Sequence, residues 1–277
     1  MTLNNLIETR VADSIENEIN GTLNTSIITF SSGKGGTGKS TTATILATGL
    51  IHEGRKDKSN VKVLIVDMDT QQTVTNLGKR RKRTINKRKG NKHPSAVAKT
   101  ERMECIEFIS YNPLDPKGDG WAGFKSLINN AQGKYDYVLI DTPGHLDNIL
   151  LQSIAFQCSD LVLVTTRTTI EDMEQIKTMN SYVKLIKEDP KFVFQPYLVV
   201  WTLDCSDRVY NDYEDLKVFD STLPILKYDN KDCVLPLRKS VVSASADGLT
   251  PIESNTDELA KSSYLKFTKA VMNALNK

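Results

Sequence analysis

Ile27-Ile-Thr-Phe-Ser-Ser-Gly-Lys-Gly-Gly-Thr-Gly-Lys-Ser-Thr-Thr42 decides how this chain is read. An apolar, β-prone run from Ile27 to Phe30 feeds a glycine-rich turn, and helix-forming residues follow from Ser40. Gly33, Gly38, Lys39 and Ser40 keep the spacing of a phosphate loop: glycine, four residues, then Gly-Lys-Ser. Glycines let successive backbone N–H groups turn inward around a phosphate with no Cβ in the way. A helix opening at Ser40 adds its positive end. The cradle is expected to comprise Gly33, Lys34, Gly35, Gly36, Thr37, Gly38, Lys39, Ser40 and Thr41. Lys39 is placed to reach the β- and γ-phosphates of a nucleoside triphosphate, and the Ser40 hydroxyl to meet Mg²⁺.

A second lysine, Lys34, directly follows the first glycine. The string Lys34-Gly-Gly-Thr-Gly-Lys-Ser-Thr41 closely resembles the deviant Walker A box of the ParA/MinD family of ATPases. The resemblance implies that Lys34 crosses a dimer interface to touch the partner's nucleotide; the spacing by itself does not show it.

Two more stretches carry acids at the ends of apolar runs. Val61-Lys-Val-Leu-Ile-Val-Asp-Met-Asp-Thr-Gln-Gln-Thr73 ends in Asp67 and Asp69. Carboxylates at the carboxyl end of a parallel strand lie at the ligand edge of such a sheet. The family's matching segment reads Asp-x-Asp-Pro-Gln, and Thr70 departs from it by standing where proline is usual. By resemblance Asp69 orients the attacking water and Asp67 belongs to the metal shell. Tyr135-Asp-Tyr-Val-Leu-Ile-Asp-Thr-Pro-Gly144 looks like a Walker B strand followed by a switch loop. There Asp141 would hold Mg²⁺, and the Gly144 N–H would sense the γ-phosphate. Asp141 to His145 is also the string of translational GTPases. Their guanine-specifying Asn-Lys-x-Asp is missing, however: the nearest candidate, Trp201-Thr-Leu-Asp204, lacks the Asn and Lys. ATP is therefore the expected nucleotide.

Residues 79–102 are the compositional anomaly. Lys79, Arg80, Arg81, Lys82, Arg83, Lys87, Arg88, Lys89 and Lys92 occur with no acid among them until Glu101. Gly90, Asn91, Pro94 and Ser95 break any long helix, so the block reads as a self-repelling, mobile insertion. Facing a phosphate backbone it would release counterions and bind without reading sequence. Arg80, Arg81, Lys82, Arg83, Lys87 and Arg88 are the expected DNA contacts. Arg238 joins them because the family carries an arginine in its late loop; a surface salt bridge is the other reading of that residue.

The chain has 277 residues, 39% apolar, 25% charged and with a net charge of +2, which suits one large α/β domain and confines any polyanion attraction to local clusters. Cys105, Cys158, Cys205 and Cys233 show no metal-ligand spacing and read as buried, reduced thiols. No run is long and apolar enough for a membrane span, and no secretory signal is visible, so a cytoplasmic protein is expected; the family resemblance implies that it is nucleoid-associated.

Leu3, Leu6, Ile7, Val11, Ile15 and Ile19 suggest an amphipathic helix in an extension over 1–24, ahead of an ATPase domain over 25–277. Further strands are expected near 105–110, 160–166, 196–202 and 223–227. Helices are expected near 41–51, 121–131, 170–188, 207–219 and 257–275, with a long loop over 228–251. This alternation implies a doubly wound, mostly parallel sheet with helices on both faces, the P-loop NTPase fold of the deviant Walker A type.

The resemblance, over residues 25–275, implies a ParA-type partition ATPase. Its ATP-bound homodimer would hold DNA non-specifically until a centromere-binding partner stimulates slow hydrolysis. Lys34, Lys39 and Asp69 would carry the chemistry with Mg²⁺. The alternatives are a MinD-like membrane-cycling ATPase, disfavoured by the C-terminal helix with its few cations, and a ParA-like adaptor for a DNA-transfer complex.

Overall fold

The computed structural model describes residues 25–54, 60–90, 92–115, 118–144, 155–156, 158–167, 172, 175, 197–204, 234–254 and 256–275. The expected helices over 1–24 and 207–219, that over 170–188 apart from Asp172 and Gln175, which are helical, the strand over 223–227, Cys205, Cys233 and His145 lie outside these residues.

The strands are β1 (Ser26–Ser31), β2 (Val63–Asp67), β3 (Ile106–Ser110), β4 (Tyr137–Asp141), β5 (Leu161–Thr166), β6 (Tyr197–Asp204) and β7 (Val234–Leu237). They form one sheet in the order β3-β2-β4-β1-β5-β6-β7, and every pairing is parallel. β1 lies in the middle, where the chain order reverses, so its carboxyl end opens into the crevice that such sheets use for ligands.

The pleat sorts neighbouring residues to opposite faces. Ile28, Phe30, Val63, Ile65 and Leu139 pack with helix α1 (Lys39–Gly54) in one cluster. Ile27, Leu64, Val66, Val138 and Ile140 pack on the other face with Phe124 and Ile128 of the later helix over Gly120–Ala131. Both faces are covered, which is why β2 and β4 are almost continuously apolar.

α1 is buried almost all round, and its threonines avoid a desolvation cost by bonding back along the helix. Thr42 and Thr44 donate to the carbonyls of Gly38 and Ser40, each at 2.8 Å.

The block expected to be mobile is helical. It forms α2 (Thr73–Arg88) and α3 (Pro94–Glu104), with Lys89–Lys92 between them. Val74, Leu77 and Arg81 are buried at helical spacing, and Ile85 packs against Met103, Ala244 and Leu249. That stripe outweighs the charge repulsion, and Lys82, Arg83 and Lys87 beside it are exposed. α4 (Gly120–Ala131) follows, with Trp121 and Phe124 edge to face at 6.0 Å.

The long loop expected over 228–251 is also corrected. It contains β7, α5 (Lys239–Ala246) and the start of α6 (Pro251–Ser254). The closing helix α7 (Glu258–Leu275) buries Tyr264, Phe267 and Val271, and the Tyr264 hydroxyl donates to the Pro236 carbonyl at 2.7 Å. Packing against the core is therefore what α7 does. Among the described residues no helix is long and apolar enough to cross a membrane. Cys105 and Cys158 are half-buried, more accessible than expected.

Candidate nucleotide-binding site

The phosphate loop runs from the carboxyl end of β1 into α1. Gly36 and Gly38 hold φ of 77° and 87°, left-handed values that a residue with a Cβ adopts only at a cost of about 1–2 kcal/mol. Lys39 is buried, and its Nζ donates to Ser32 Oγ at 3.1 Å. Ser32 in turn donates to the Lys34 carbonyl at 2.8 Å. This relay closes the loop on itself and fixes the ammonium. Burial lowers the Lys39 pKa, and the charges of Asp141 and Asp69 partly restore it.

Asp141 sits opposite Lys39's helix. β4 pairs with β1 so that Phe30 faces Asp141, and the Ser40 hydroxyl donates to Asp141 Oδ2 at 2.6 Å. Asp141 is fully buried, and its Oδ1 has no hydrogen-bond partner among the described residues. Burial is the chief cause that raises its pKa to about 7, against the charge of Lys39 and the Ser40 bond. An unsatisfied buried carboxylate oxygen beside a serine hydroxyl offers hard oxygen donors, and so fits Mg²⁺. No cluster of three or more His, Cys, Asp or Glu that could hold a metal occurs among the described residues. Mg²⁺ at such a site commonly takes further ligands from phosphates and water.

The switch segment lies against the loop. A Cβ on Gly144 would stand 2.7 Å from Lys39 Nζ and 3.0 Å from Gly35 Cα. Thr142 anchors this segment by donating through its N–H and hydroxyl to the Phe30 carbonyl, at 3.3 and 2.8 Å. Three stretches far apart in sequence thus meet at one sheet edge: the loop, Asp141 to Gly144, and Asp67 to Asp69.

Residues 25–195 match the AAA_31 family, described as an AAA domain. The chain belongs to this family and is a ParA/MinD-type deviant Walker A ATPase. A candidate plasmid partition protein of Borrelia burgdorferi B31, solved with AMPPNP, is 26% identical, with a TM-score of 0.58 over 90% of this chain and 98% of that one. The MinC:MinD cell division complex of Aquifex aeolicus gives 17% identity and a TM-score of 0.62 over 90% and 96%. ParA of pNOB8 bound to nonspecific DNA gives 19% and 0.58 over 91% and 99%. The last two likenesses concern the fold.

Within this ParA/MinD-type frame, Lys34 is half-exposed at the loop tip, with Nζ 3.6 Å from Asp172 Oδ1. Asp67 has a structural duty. Its two oxygens accept the N–H groups of Asp69 and Thr75 at 3.1 and 2.8 Å. Asp69 is partly exposed and accepts the Gln71 N–H at 2.9 Å. Gln72, two residues after the Thr70 that stands where the family has proline, has φ 52°, so the turn into α2 is strained there.

The expected DNA contacts divide sharply. Lys82, Arg83 and Lys87 are exposed on one side of α2. Arg81 is corrected: it is buried, and its guanidinium grips both oxygens of Glu253 at 2.6 and 2.9 Å and the carbonyls of Met103 and Gly248. Arg80 donates to the Ser245 carbonyl at 2.9 Å, and Arg88 contacts Met103 Sδ at 3.5 Å. Arg238 lies 3.6 Å from Asp257, the salt bridge left open by the sequence.

Sequence reasoning missed Ser32, Thr165 and Arg167. Thr37 and Thr165 hydroxyls meet at 2.9 Å, tying the loop to β5. Arg167 donates to the Gly35 carbonyl at 3.4 Å, and its Nε lies 3.4 Å from Asp172. In a trans peptide the N–H points opposite to the C=O, so this contact turns the Gly36 N–H away from Arg167. The only signal in the sequence was a lone arginine directly after an apolar strand.

Proposed function

We propose that the protein is a nucleotide-gated DNA-binding ATPase of the ParA type, serving DNA partition. The observation that carries this reading is the pairing of an exposed Lys34 at the phosphate-loop rim with an exposed basic side of α2. In a dimer the first would reach beyond its own subunit. The second presents Lys82, Arg83 and Lys87 to a phosphate backbone without any aromatic platform for bases. The partition protein bound to AMPPNP and the ParA bound to nonspecific DNA support the same reading.

In this mechanism the loop amides and Lys39 hold the β- and γ-phosphates, and Ser40 and Asp141 would hold Mg²⁺. The metal supplies charge neutralisation at the β- and γ-oxygens. Gly144, packed on Lys39, reports the terminal phosphate, and Asp69 orients the attacking water. Lys34 of each subunit reaches the nucleotide of the other, so that only the ATP-bound dimer joins two basic sides into one DNA-binding surface. A centromere-bound partner then speeds hydrolysis and releases the dimer.

The test is binding to a random-sequence duplex over a salt series with ATP, with ADP and without nucleotide. Tight, salt-steep binding in ATP alone, abolished by Lys34→Ala and weakened by Lys82→Gln/Arg83→Gln/Lys87→Gln, is the expected result. Binding indifferent to nucleotide would refute the gating.

A further inference from the structure

At the opposite end of α1 from the phosphate loop, a cavity of about 110 Å³ opens between α1, α2, α3, α6 and α7. Its walls carry His52, Arg88, Lys99, Arg102 and Lys261, with one carboxylate, Glu253. From Ser40 to Ile51 the helix rises about 16 Å, so this place is separate from the nucleotide cradle.

The charge here does not balance. Glu253 already has both oxygens taken by Arg81, at 2.6 and 2.9 Å, and so offers little to the cations around it. Lys261 has the exposed carboxylate of Glu258 at 3.8 Å, and His52 Nδ1 lies 3.6 Å from the buried Glu53 carboxylate, so the excess rests on Arg88, Lys99 and Arg102. The Arg102 Nε donates to the Ala98 carbonyl at 3.1 Å, and among the described residues Arg88 reaches only a thioether sulfur. Lys99 has no ion pair among the described residues. In a chain with 36 basic and 34 acidic side chains, such local excess costs repulsion unless an anion relieves it. Ile51, Met103 and Ile252 complete the walls, and their apolar surface strengthens any charge interaction inside. The volume exceeds that of several waters.

We infer that this cavity is an anion site that takes a phosphate group. Arg88 and Arg102 supply planar donor forks for its oxygens, and Lys99 and Lys261 close the rim. The phosphate comes either from a nucleic-acid backbone or from a small free phosphate ester. The site stands whether or not the partition reading does.

The test begins with the Lys39→Ala full-length protein, in which the nucleotide loop is disabled, titrated with inorganic phosphate by calorimetry at low ionic strength. Saturable binding is expected, weakened at least tenfold by Arg88→Gln/Arg102→Gln. Lys99→Glu, at an exposed position that leaves the fold alone, is expected to weaken it as well. Absent phosphate binding, or binding indifferent to all these changes, overturns the inference. Duplex DNA over a salt series then separates the sources. A salt slope shallower by about one in the Arg88→Gln/Arg102→Gln protein assigns the site to a backbone phosphate. An unchanged slope with phosphate binding lost assigns it to a free phosphate ester. If wild type binds phosphate here but no duplex at all, the partition reading fails and the anion site remains.

Discussion

Lys34 and Asp172 form an ion pair at 3.6 Å across the rim of the phosphate loop, and the same carboxylate lies 3.4 Å from Arg167. The lysine side chain is 51% exposed and the aspartate 2%. A buried carboxylate therefore tethers a solvent-reaching cation, and any crossing of Lys34 to a second subunit has to break this contact first.

Replacing Asp172 with Asn frees Lys34 and Arg167 together. A half-exposed pair is worth about 1 kcal/mol or less, equivalent to up to roughly fivefold in an equilibrium constant. Sedimentation with AMPPNP should show dimerisation at correspondingly lower protein concentration. Weaker association instead would mean that Asp172 supports the loop rather than restraining its lysine.

Gly144 lies so close to Lys39 and Gly35 that a methyl group must displace one of them. Gly144→Ala should leave thermal stability nearly unchanged while misplacing the ammonium. Losing one hydrogen bond to a charged group costs about 1.5–3 kcal/mol. Fluorescent ATP-analogue binding should accordingly weaken about ten- to a hundredfold.

Arg81 and Lys82 are neighbours with opposite duties. Removing one partner of a buried pair costs about 3–5 kcal/mol, so Arg81→Gln should lower the urea midpoint severely. Lys82→Gln should change stability by less than about 0.5 kcal/mol and act on duplex affinity alone. Full stability in Arg81→Gln would contradict the buried geometry.

Asp141 makes the metal-free protein pH-sensitive. Its folded pKa of about 7 lies above the ordinary 3.8. Between these values the folded state holds more proton than the unfolded chain, so stability falls as pH rises and the penalty is complete above about 7. Melting temperatures in chelator should decline across this window for the wild type, and less steeply for Asp141→Asn. Equal slopes would show that the carboxylate is ionised throughout.

Much of the site was legible because its chemistry is local. The Gly33 to Thr41 spacing, the apolar run ending at Asp141 and the adjoining Gly144 are each written in consecutive residues, and parallel strands bring such ends to one edge. The helix in the basic block was legible only in part. Val74, Leu77, Arg81 and Ile85 keep helical spacing, but an arginine in the buried stripe disguised it as surface. Likewise β7 and α5 were hidden in a segment whose short apolar runs looked like a loop, since the partners that order them, β6 and α2, are distant in sequence.

The sequence by itself determined a parallel α/β domain with a phosphate loop, two acidic strand ends and a family resemblance, because backbone periodicity and glycine spacing act over a few residues. Only the tertiary structure decided which cations face solvent and which are spent inside. Glu253 lies far along the chain from Arg81 and is, among the described residues, the one charge partner of that buried guanidinium. Equally, only the fold could bring Asp172 and Arg167 to the loop tip, or gather Arg88, Lys99, Arg102 and Lys261 around one cavity. These meetings depend on how helices pack against one another and not on the order of residues along the chain.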